Sequence, residues 1–101
     1  MGERLSDSTV DAMIRRTSHF AGNVQGVGFR YTAQNVARGF KVAGYVRNLP
    51  DGRVELVAEG EPDEIARLLD AIGERMEGFI KKRSDFDSPA TEEFKSFGIR
   101  H

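Results

Sequence analysis

The hydrophobic period of this chain changes abruptly at a loop that carries two glycines. Ser18, Phe20, Gly22 and Val24 alternate with Thr17, His19, Ala21 and Asn23, and a period of two specifies a strand over 16–24. From Phe29 the apolar residues Phe29, Ala33, Val36, Ala37 and Phe40 form one stripe of a helix, with Gly39 placed near its end. A strand must therefore give way to a helix through Gln25-Gly26-Val27-Gly28. Two residues free to take positive φ stand where the chain turns.

The remaining pattern limits the architecture further. "KVAGYVRN" (41–48) is strand-like, "LPDG" (49–52) is a turn in which Pro50 presets φ, and "RVELVAEG" (53–60) alternates again, so 41–60 reads as a hairpin. Pro62, Asp63 and Glu64 suit a helix start, and Ile65, Leu68, Leu69, Ile72 and Met76 continue as its apolar stripe. "GFIKKRSDFDS" (78–88) is a polar strand suited to a sheet edge, and "EFKSFGIRH" (93–101) is a last strand with Phe94, Phe97 and Ile99 available for packing. This order predicts an α+β, ferredoxin-like split βαββαβ sandwich. The sheet is mostly antiparallel, two helices cover one face, and an extra C-terminal strand follows. Such a fold hosts many functions and names none.

Composition narrows the function classes. The 15 Lys+Arg balance 16 Asp+Glu to a net charge of −1, which lacks the basic excess of a nucleic-acid surface. Nor does "RVELVAEG" carry the aromatics of an RNA-reading sheet. With no cysteine, thiolate nucleophiles, thiolate metal sites and disulfides are excluded. No apolar run approaches the roughly 20 residues that span a bilayer, and the start has no apolar core of a secretory signal. Met1-Gly2 with Ser6 matches the loose myristoylation pattern, but residues 1–15 are read as a polar, frayed extension, with the domain running over 16–101. A cytoplasmic location follows as the default.

The glycine loop invites a chemical reading. A turn that runs into a helix start presents several backbone N–H groups in one direction, at the positive end of the helix dipole, where an anion is favoured. Successive turn amides also form a concave nest of phosphate size. Arg30, in the first helical turn, is a poor match to the dipole unless an anion lies between them. A purely structural turn remains the alternative on these residues. The segment fits neither the dinucleotide fingerprint, since Tyr31 stands where its third glycine belongs, nor the P-loop.

Residues 22–60 carry two longer motifs. They are G-x-V-Q-G-V-G-F-R at 22–30 and G-Y-V-x-N-x-x-x-G-x-V-x-x-x-x-x-G at 44–60. Both resemble the signatures of the acylphosphatase family, and the elements from Pro62 to the C-terminal "FKSFGIR" resemble its length and order; 78–93 matches only loosely. The resemblance implies hydrolysis of the carboxyl–phosphate bond of a small-molecule acyl phosphate, without metal or other cofactor. It implies that phosphate sits on the amides of Gln25, Gly26, Val27, Gly28, Phe29 and Arg30, with the Arg30 guanidinium on its oxygens. Asn48 would hold the attacking water, so the resemblance implies Arg30 and Asn48 as the catalytic pair. A related domain occurs inside larger carbamoyl-transfer and hydrogenase-maturation proteins; here a monomeric, standalone enzyme is expected, with a non-catalytic anion-binding module as the alternative.

Other polar residues receive structural readings. His19 is expected in a surface or satisfied structural role, with no acid partner specified nearby. Lys81-Lys82-Arg83 reads as a solvated edge strand, and Glu92-Glu93 and Glu59/Glu61 lack metal-ligand company. Gly44, inside a strand, marks either a bulge or a close backbone approach.

Overall fold

The computed structural model describes residues 13–101, so the extension expected over residues 1–15 lies outside the described residues up to residue 12, while Ile14 and Arg15 belong to the first strand. The elements are β1 (Ile14–Gly22), α1 (Phe29–Ala37), β2 (Ala43–Asn48), β3 (Val54–Gly60), α2 (Pro62–Arg75), β4 (Ile80–Pro89) and β5 (Phe97–Arg100). They form one five-stranded sheet in the order β4-β1-β3-β2-β5. Every neighbouring pair is antiparallel except β2 and β5, which run parallel. This is the expected ferredoxin-like α+β fold with its added C-terminal strand.

One face of the sheet packs against both helices. Phe20 pairs with Val54 and Val46 with Leu56, which sets these side chains on a single face. They join Ala58 in a core with Phe29, Ala33, Val36 and Ala37 of α1 and Ile65, Leu68, Leu69 and Ile72 of α2. Both apolar stripes read from the sequence are therefore buried, except that Phe40 lies beyond the end of α1 and is half-buried. Ser18, fully buried on the same face, donates from Oγ to Asp85 Oδ1 at 2.8 Å, so its hydroxyl is satisfied. Gly44 resolves as a close approach: a Cβ there would lie 1.8 Å from the Val57 carbonyl oxygen. The first helix ends at Ala37, two residues before Gly39, because the chain tightens through Gly39 N–H to Val36 O and Phe40 N–H to Ala37 O, both 3.0 Å.

The last strand is shorter than its sequence suggests. The pattern predicts 93–101, whereas β5 spans Phe97–Arg100. Because β4 and β5 lie at opposite edges, the connection must cross the back of the sheet, and a segment crossing the strands cannot pair with them. It is held there by Glu59, which is 3% exposed. Glu59 accepts from Thr91 N–H (2.9 Å), Thr91 Oγ1 (3.1 Å), Glu92 N–H (2.8 Å) and Arg15 Nε (2.8 Å). Phe94 then sits under the Arg15 guanidinium, 4.9 Å from the ring centre, and edge-on to Tyr45 at 5.8 Å. Glu59 thus serves as a clamp on the crossing segment.

His19 gains the acid partner that its sequence neighbourhood does not supply. It stands opposite Glu55 across β1 and β3, with Nε2 3.1 Å from Glu55 Oε2, and Tyr45 OH and Arg47 Nε also donate to that carboxylate. Cross-strand register, invisible in a single sequence, creates the contact. The cluster lies on the sheet face opposite the helices.

Burial pushes the Glu59 carboxyl upward, but the Thr91 amide, Arg15, the Glu92 amide and the Thr91 hydroxyl together hold it below the usual 4.5. A carboxylate with a lowered folded pKa stabilises the fold above the unfolded value and loses that contribution as pH falls through the folded one. Glu59→Ala is expected to cost about 3 kcal/mol at neutral pH, since Arg15 and two amides lose their acceptor. Urea titrations from pH 7 to pH 3 check this: the gap between wild type and Glu59→Gln should narrow below pH 4.5.

Candidate active site

Two buried side chains hold the glycine loop at either end. Val24 is fully buried, and Phe29 packs on Phe20 with ring centres 4.9 Å apart. Asn23 N–H donates to Phe79 O at 2.9 Å and fixes the loop's start beside the entrance to β4. Between these points Gln25, Gly26, Val27 and Gly28 are all exposed. Gly26 has φ 80° and Gly28 φ 79°, left-handed conformations that side chains disfavour.

Gly28 is the N-cap of α1, and it brings no side chain to cap it. No acidic residue stands in the first turn. The Gly28 carbonyl begins the helix by accepting from Thr32 N–H at 3.0 Å. Among the described residues, none of the N–H groups of Gln25 to Arg30 donates to a protein acceptor. These donors instead lie at the positive end of the helix dipole, a setting that favours an anion. Phe29 and Val27 contribute to it through their backbone; the Phe29 ring belongs to the core and Val27 is 37% exposed.

Sheet register brings Asn48 to the same end of the molecule. Asn48 ends β2 opposite Val54, which itself stands opposite Phe20 near the end of β1. Alternation from the buried Val46 puts Asn48 on the helix-bearing face, half-buried. Two contacts draw the surrounding segments together. The Gln25 side-chain amide donates to Leu49 O (2.8 Å) and Arg53 O (2.9 Å), joining loop to hairpin. Arg30, half-buried in the first turn of α1, has Nη1 3.3 Å from His101 Nδ1. His101 follows Arg100, which pairs with Arg47, the neighbour of Asn48.

The structure thus brings Gln25, Gly26, Val27, Gly28, Phe29, Arg30 and Asn48 to one end of the sheet. The side-chain tie of Gln25 and the approach of His101 were not legible in the sequence, because both join residues from distant elements whose register sets the contact.

The whole of this end lies within the stretch, residues 16–99, that matches the family model described as Acylphosphatase, apart from Arg100 and His101. The chain belongs to the acylphosphatase family. A relative named acylphosphatase from Marinobacter nauticus is 43% identical over 82 residues, covering 80% of this chain and 89% of its own. The structure of acylphosphatase from Bacillus subtilis superposes with a TM-score of 0.80 at 34% identity, covering 87% of this chain and 99% of that one. A full-length HypF in a phosphate- and nucleotide-bound form aligns with a TM-score of 0.76 at 26% identity; the match covers 88% of this chain but only 12% of HypF. The family fold thus occurs both as a chain of this size and as a small part of a much larger protein.

A Cβ on Gly28 meets no atom within 4 Å, so substitution there tests backbone strain without a clash. Gly28→Ala is expected to cost about 1 kcal/mol of folding free energy, with Gly28→Asn costing less because asparagine tolerates the left-handed region. Urea denaturation of the two variants checks the order.

Proposed function

We propose that this chain hydrolyses acyl phosphates to a carboxylate and inorganic phosphate, at the loop of residues 25–30 and Asn48. The reading is supported by the run of N–H groups that have no acceptor among the described residues, at an uncapped helix start close to Asn48. In this reading the amides of Gln25, Gly26, Val27, Gly28, Phe29 and Arg30 hold the phosphoryl oxygens. The Arg30 guanidinium, planar and always charged, adds two parallel hydrogen bonds that an ammonium cannot make.

Phosphoryl transfer asks mainly for positioning and charge stabilisation. Water attacks phosphorus in line as the bond to the acyl oxygen breaks, and the electron pair leaves with the carboxylate. The conjugate acid of that leaving group has a pKa near 4, so it departs without protonation by a general acid. Asn48 does not titrate; its carboxamide oxygen and N–H groups orient the water. Both hydrogens of the water end on the phosphate, for which a phosphoryl oxygen is the acceptor at hand. The charge of the transition state meets Arg30 and the loop amides, so no step requires a metal.

No described helix is long and apolar enough to cross a membrane. A cytoplasmic monomer acting on a small molecule, independent of nucleic acid, belongs to the same proposal.

Hydrolysis of benzoyl phosphate in the presence of EDTA tests it. Wild type is expected to turn over. Arg30→Ala should lose on the order of 100-fold or more in kcat/KM and bind inorganic phosphate weakly. Asn48→Ala should lose about 100-fold in kcat with phosphate affinity kept. A folded wild type that binds phosphate without turnover would instead identify a binding module.

A further inference from the structure

The side chain of Gln25 reaches from the loop across to the hairpin that carries Asn48. The hairpin closes through Leu49 N–H to Arg53 O at 2.8 Å, and Gly52 N–H donates to Leu49 O at 3.1 Å. The single Nε2 of Gln25 lies 2.8 Å from Leu49 O and 2.9 Å from Arg53 O, so each of its two hydrogens serves one carbonyl of the closing pair. Leu49 is the residue directly after Asn48. The amide therefore grips the backbone one peptide away from the group proposed to hold water.

We infer that Gln25 is a positioning residue, whose side chain sets the distance between the phosphate-binding loop and the Asn48 carboxamide. This rests on the roles proposed above for the loop and Asn48. The loop is also anchored by the buried side chains of Val24 and Phe29 and turns through two left-handed glycines, contacts that a change of the Gln25 side chain does not remove, so phosphate is expected still to be gripped when the tie is cut. Without the tie, the strand end bearing Asn48 is free to shift relative to the phosphoryl group. In-line attack is sensitive to such displacement: an error of about 1 Å can reduce a rate on the order of 100-fold. The residue thus acts on turnover through Asn48, and binding is left to the loop.

Chemistry dictates the informative substitutions. Gln25→Met keeps length and volume but removes both donors. Gln25→Glu keeps shape, yet when ionised it turns a carboxylate toward two carbonyl oxygens and donates nothing. Gln25 is exposed, so neither change disturbs the core.

The test is a double-mutant cycle on the full chain: wild type, Gln25→Met, Asn48→Ala and the double variant. Benzoyl phosphate supplies kcat and KM, inorganic phosphate supplies Kd, and urea unfolding is followed alongside. Gln25→Met is expected to lower kcat about tenfold with phosphate Kd changed less than twofold, and Gln25→Glu to lower it at least as much. In the Asn48→Ala background, Gln25→Met should produce no further loss. A fully active Gln25→Met beside a crippled Asn48→Ala overturns this inference alone. An equal loss in both backgrounds, or a loss of phosphate affinity matching the loss of kcat, also overturns it. Unchanged turnover in Asn48→Ala removes the water-holding role itself, and the inference falls with it.

Discussion

An α-helix cannot satisfy its own first N–H groups, and at α1 this chain supplies none of the usual side-chain substitutes. The N-cap is glycine and the first turn contains no acid, but an arginine. A helix that served only to cover the sheet would gain from serine, threonine or aspartate at that cap, commonly about 1 kcal/mol. The chain instead sets two left-handed glycines before the helix and fixes the loop with Val24 and Phe29, whose side chains are in the core. Rigid anchoring on both sides of an exposed run of donors is what an anion site requires.

The rest of the sheet brings the other groups to this end. The antiparallel hairpin ends β2 at Asn48, opposite Val54 and in line with the end of β1. The parallel strand β5 returns the chain along β2, so that His101 comes beside Arg30. That return depends on the segment crossing beneath the sheet, held there by the buried carboxylate of Glu59. Contacts on the face opposite the helices thereby position residues at the site end. The fold couples its two faces through a connection that has no regular secondary structure of its own.

Much of this was legible because it is local. The change of period at Phe29, the Pro50-Asp51-Gly52 turn and the stripe of Ile65, Leu68, Leu69 and Ile72 specify their elements within a few residues. Gly26 and Gly28, Arg30 and Asn48 lie in motifs short enough to read directly. What stayed hidden depends on register between distant segments. His19 reads as a residue without an acid partner until β1 lies against β3 and brings Glu55 opposite. Residues 93–95 have strand-like composition, yet the need to cross from one sheet edge to the other takes them out of the ladder, and pairing with β2 begins only where Ser96 O accepts from Gly44 N–H. Glu59 looks like an ordinary strand glutamate until Thr91 and Glu92 deliver their amides to it. Gln25 belongs to the loop motif by sequence, while its side chain serves a hairpin 24 and 28 residues away.

In the proposed function the backbone amides from Gln25 to Arg30 form the anion site. Titration of the 15N-labelled chain with inorganic phosphate, followed by amide chemical shifts, tests it most directly. Saturable shifts concentrated at Gln25 to Arg30, with the Arg30 Nε–H moving alongside, are the predicted result. Saturating phosphate that leaves these resonances in place, or that moves amides elsewhere on the sheet, would contradict it.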